Sequence, residues 1–154
     1  MKTLLVFTAV MTLVRAAHAQ SFKETVSWMH RLSTYSALAH DRDLDLTEVP
    51  LENTCRNFVV IHRHTGKYTD VFTVTLDLAA LDPTQIKAQH VKGKPWAYLN
   101  IDTRNHEKNI RIQSTVNGKA ETGQNTAGVV LKFSSDYAPR FSKALCHAVE
   151  LCGH

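Results

Sequence analysis

The chain has 154 residues, 44% of them apolar, and a formal charge of +4. Lys and Arg are scattered, with no block of five or six, so the sequence carries no nucleic-acid footprint. Length and composition suit one domain with a real core.

The chain opens with a basic Met1-Lys2, followed by the apolar run TLLVFTAVMTLV from Thr3 to Val14. Ala17-His18-Ala19 fits the small-x-small pattern of a signal-peptidase site. The run is shorter than the ~20 residues that a membrane span needs. Residues 1–19 read as a signal peptide cleaved after Ala19, and 20–154 as one exported domain. Loss of Lys2 and Arg15 lowers the charge to about +2. Export places the protein in the periplasm or outside the cell, where disulfides form.

Ser21-Phe22-Lys23-Glu24 is a capping box. Phe22, Val26, Met29 and Leu32 follow at helical spacing, which predicts an amphipathic helix at 21–38. Residues 40–43 are a polar connection. Asp43 to Val49 alternates polar and apolar, the pattern of a half-buried strand with Leu44 and Leu46 inward and its acids in water. Pro50 ends it. Strands are predicted at 56–64, 69–76, 86–91, 96–103, 109–116 and 129–133, separated by turn residues, with a loop at 117–128. Phe141, Ala144, Leu145, Ala148, Leu151 and Cys152 form an apolar stripe, and Arg140, Lys143, His147 and Glu150 take the wet side. Ser135 or Asp136 caps this terminal helix, and Gly153 ends it.

Cys55, Cys146 and Cys152 are the three cysteines. Six residues on a helix rotate Cys146 and Cys152 by about 600° and separate them by about 9 Å. That exceeds disulfide reach. Cys55 therefore pairs with one of them or none pairs. Cys152 lies on the buried stripe and Cys146 lies off it, which favours Cys55–Cys152.

Two patterns point to metals. His62 and His64, in FVVIHRHTGK, share one face of a strand and supply two imidazole ligands. A third ligand has to come from elsewhere, and neither H-E-x-x-H nor C-x-x-C occurs. Asp41, Asp43, Asp45 and Glu52 fall at positions 1, 3, 5 and 12 of a calcium loop. Leu46 stands where that loop needs Gly, and Pro50 interrupts it. No nucleophile elbow, carboxylate pair or phosphate loop is present, so no cofactor is expected.

The segments LDPTQI and FSSDYAPRFSKALCHAVELCG resemble those of small exported bacterial proteins of uncharacterised function. The order of helix, strand meander and closing helix resembles the pleckstrin-homology-like barrel. The resemblance implies an α+β fold: an antiparallel barrel or bent sheet, closed by the C-terminal amphipathic helix and preceded by an N-terminal one. It carries no catalytic residue over. The leading expectation is an exported, non-enzymatic binding or interaction module for an unidentified protein or peptide. Contact would run through Trp28, Met29 and Tyr35 or the 117–128 loop, with a homodimer through the N-terminal helix as a further expectation. The alternatives are a metal-dependent hydrolase or metal carrier using His62 and His64, and a calcium-stabilised structural protein.

Overall fold

A computed structural model describes residues 20–34, 37–40 and 43–153, and only the backbone of residues 34, 37–40 and 43. The cleavage site after Ala19, Tyr35 and Asp41 lie outside the described residues.

Helix α1 spans Phe22–Thr34. It starts where the capping box places it: the Ser21 N–H donates to Glu24 Oε2 at 2.7 Å, and the Glu24 N–H donates to Ser21 Oγ at 3.3 Å. The helix is shorter than the periodicity suggests. Strand β1, Ala37–His40, replaces its last turn and pairs antiparallel with β2, Asp43–Glu48.

β2 continues antiparallel onto β3, Phe58–Thr65, then β4, Thr69–Leu76, then β7, Ile110–Val116. Two short strands, β8 at Lys119–Ala120 and β9 at Gln124–Thr126, both pair with β7. The 117–128 segment is therefore partly sheet and not a loop throughout. Its turn is Asn117-Gly118, with φ of 48° and 79°. Asn and Gly tolerate this left-handed region, and the pair is the strongest short-range hairpin signal.

The second sheet has three strands, in the order β10-β6-β5. They are β5, Lys87–His90; β6, Trp96–Asp102; and β10, Gly128–Ser134. Pro83–Gln85 makes one 3₁₀ turn, with the Asp82 carboxylate accepting from the Thr84 N–H. The architecture is α+β with antiparallel sheets, and the sheets do not close into a barrel.

One continuous core joins the layers. Phe58, Val60, Val74, Leu76, Ile110 and Ile112 come from the larger sheet. Ala97, Leu99, Ile101, Val129, Leu131 and Phe133 come from the smaller one. Helix α2, Ala138–Cys152, covers the core with Phe141, Ala144, Leu145, Ala148 and Val149. The Phe133, Tyr137 and Phe141 rings stack at centroid distances of 5.0–5.4 Å. Tyr137, rather than Ser135 or Asp136, precedes the first turn, and its N–H donates to Ser134 Oγ. Val26 and Met29 dock α1 onto the same core. Met29 is fully buried, so it is packing and not contact surface.

The Cys55 and Cys152 sulfurs stand at bonding distance, with Cα atoms 5.5 Å apart. Cys146 is a free, half-buried thiol. Closure of a loop with a sequence separation of 97 stabilises by about 4–5 kcal/mol in the chain-entropy model. The exported protein should weigh about 2 Da less than its thiol form. Cys152→Ser should lower unfolding free energy in urea by about 4 kcal/mol. An unshifted mass, or an unchanged midpoint for the variant, would contradict the pairing.

Candidate functional site

Among the described residues, two places that gather polar chemistry stand out. The first is at the polar end of the larger sheet. The β2–β3 register sets Asp45 opposite His64 and Thr47 opposite His62. The β3–β4 register sets Asp70 opposite His64. Residues directly opposite share a face, so these side chains extend the core face of Phe58, Val60, Val74 and Leu76. Strand alternation puts Asp45 and Thr47 inward, and Asp45 is only 5% exposed while Leu46 is 38% exposed. This reverses the expected orientation of β2. The imidazoles and a lysine are the reason: the buried carboxylate has partners that a leucine there would leave unmatched.

Asp45 Oδ1 accepts from His64 Nδ1 at 2.6 Å and stands 3.9 Å from His62 Nε2. Asp45 Oδ2 stands 3.1 Å from Lys132 Nζ, which reaches across from β10. The same ammonium lies 4.7 Å from the centroid of the Trp96 ring. His62 Nδ1 lies 3.2 Å from Thr47 Oγ1. Asp70 Oδ1 is buried with no hydrogen-bond partner among the described residues. Burial pushes the His62 imidazole below its ordinary pKa. Asp45 opposes that shift, and Lys132 and His64 add to it.

His62 and His64 do share a face, as the spacing predicts. Lys132, however, already supplies the positive charge that a metal would bring to Asp45. Among the described residues, no group of three or more His, Cys, Asp and Glu side chains is placed to hold a metal ion. Of the calcium set, the structure describes the side chains of Asp45 and Glu52 only. Asp45 is bound inward to His64 and Lys132, and Glu52 is exposed in the turn after β2. Only the backbone of Asp43 is described, and Asp41 lies outside.

The second place is a groove of about 460 Å³ between the two helices. Thr25 and Trp28 of α1 and Ala144 of α2 form its apolar walls. Arg140, Lys143 and His147 of α2, with Gln20 just before α1, complete its lining. Residues three and four apart share a helix face, so the three basic groups make one stripe. His147 Nδ1 lies 3.8 Å from Glu150, and its Nε2 lies 3.3 Å from the Gln20 carbonyl. Arg140 and Lys143 form no ion pair among the described residues. Helix α1 is held in place from below. His30 Nδ1 lies 2.8 Å from the Val49 carbonyl, and the Val49 N–H donates to Ser33 Oγ at 3.3 Å. The groove was not visible in the sequence, where Trp28 and Arg140 are far apart. Its basic side was visible as the wet face of the terminal helix.

The buried ion cluster predicts how stability depends on pH. Below the ordinary histidine value of about 6.5, the unfolded chain takes up a proton at His62 that the folded chain resists. This part of the stability is full above that value and is lost as pH falls toward the depressed folded value. Urea midpoints measured from pH 8 to pH 5 should fall, and His62→Phe should flatten the slope. Asp45→Asn, which leaves Lys132 without its carboxylate, should cost about 3–5 kcal/mol at pH 7. An equal slope in His62→Phe, or a neutral Asp45→Asn, would contradict the cluster. No protein-family model, curated protein or solved structure matches the chain.

Proposed function

We propose that the protein is an exported, non-enzymatic binding module whose ligand sits in the α1–α2 groove. The observation that carries this reading is the groove's composition: apolar walls beside two cations that have no ion-pair partner among the described residues. Ligand sites of about 300–1,000 Å³ are mostly apolar, with a few polar groups that fix orientation. The groove fits that description. Both cations are exposed and free to turn toward an anion that enters the groove.

Export is supported by the signal-like start of the sequence and the Cys55–Cys152 pair. No helix among the described residues is long and apolar enough to cross a membrane. The order of helix, antiparallel strands and closing helix accords with a pleckstrin-homology-like module opened into two sheets, a frame suited to binding. Among the described residues no group of three or more metal-ligating side chains gathers at His62 and His64, so the metal-dependent hydrolase reading gains no support from their geometry.

Native mass spectrometry of the exported, untagged protein tests the reading. The wild type should carry a small anionic adduct, and Arg140→Glu with Lys143→Glu should release it while circular dichroism shows the fold intact. An adduct that persists in the double variant would place the ligand elsewhere.

A further inference from the structure

The shape and charge of the groove say more about what fills it. Resting on the reading of this groove as the binding surface, we propose that its occupant is a monocarboxylate carried on an aliphatic or aromatic body. Arg140 and Lys143 lie three residues apart on α2 and both line the groove, which places two cations on the one face that a headgroup would meet. The planar guanidinium fork of Arg140 matches the two oxygens of a carboxylate, and Lys143 adds a point charge beside it. His147 is already turned toward Glu150 and the Gln20 carbonyl, which leaves the pair of full cations to hold the head. A phosphate head would draw on backbone N–H groups at the helix start. Pro139 removes one such donor from the first turn of α2. The body then lies along Trp28, Ala144 and the methyl of Thr25, with the indole as its broadest apolar contact.

The test uses decanoate, decanol, decyl phosphate and decyltrimethylammonium, each below its micelle concentration, titrated into the exported chain. Affinity is read by calorimetry. Contact is read from the Trp28 indole N–H resonance, assigned with Trp28→Phe. Decanoate should shift that resonance and bind at least about tenfold tighter than decanol, a difference of about 1.4 kcal/mol. Arg140→Ala with Lys143→Ala should remove that advantage and leave decanol unchanged. Equal binding of decanol and decanoate would overturn the carboxylate assignment while the groove stands. Tighter binding of decyl phosphate would overturn it in favour of a phosphate head. If no probe moves Trp28 although the purified protein carries an adduct that the charge-reversal variant releases, the ligand class is wrong and the groove is right. If no probe binds and no adduct is found, both readings fall.

Discussion

The seating of α2 is the constraint on which the rest of the molecule depends. At its first turn, Tyr137 and Phe141 stack with Phe133 of β10. At its last turn, Cys152 reaches Cys55, just before β3. The helix is thus tied to the smaller sheet by ring packing and to the larger sheet by a sulfur bridge. Between these anchors its apolar stripe closes the core, and its basic stripe is left standing opposite α1. Groove and core are two faces of one helix, so the register that buries Phe141 and Leu145 also fixes where Arg140 and Lys143 point.

The second tie between the sheets is electrostatic. Lys132 leaves the smaller sheet to meet Asp45 of the larger one. Asp45, His62 and His64 continue a face that is otherwise aliphatic, so the sheet changes from apolar to ionic along its length. A slip of one residue between β2 and β3 would turn Asp45 and Thr47 to the face opposite both imidazoles. The cluster therefore pins the strand register, and its exact matching of Asp45 to His64 and Thr47 to His62 is a structural role for residues whose spacing suggests a metal.

Much of this was legible in the sequence, for physical reasons that differ by element. The α2 stripe is long, strictly periodic and capped by Gly153, so both its faces were readable, and so was the choice of Cys152 over Cys146. β4 is rich in β-branched residues and was equally plain. β1 was hidden because Ala37-Leu38-Ala39 reads as helix until its pairing with β2 is known. The β7–β8 hairpin announced itself in Asn117-Gly118 but was obscured by the polar residues around it. The inward turn of Asp45 was not legible from β2 alone, because alternation gives two faces and not which one is buried. The complementary pattern, Asp-x-Thr in β2 against His-x-His in β3, was the available signal. The groove was beyond local reading, since it needs Trp28 and Arg140 brought together by α2's anchors.

The central claim is that the face α2 shares with α1 is where the protein meets its ligand. A crystal structure of the exported chain grown with decanoate tests it most directly. The account predicts a carboxylate within hydrogen-bond distance of Arg140 or Lys143 and an alkyl chain against Trp28. A groove closed by the protein's own side chains, with the probe bound elsewhere, for instance at the exposed Tyr98 and Val130, would contradict it.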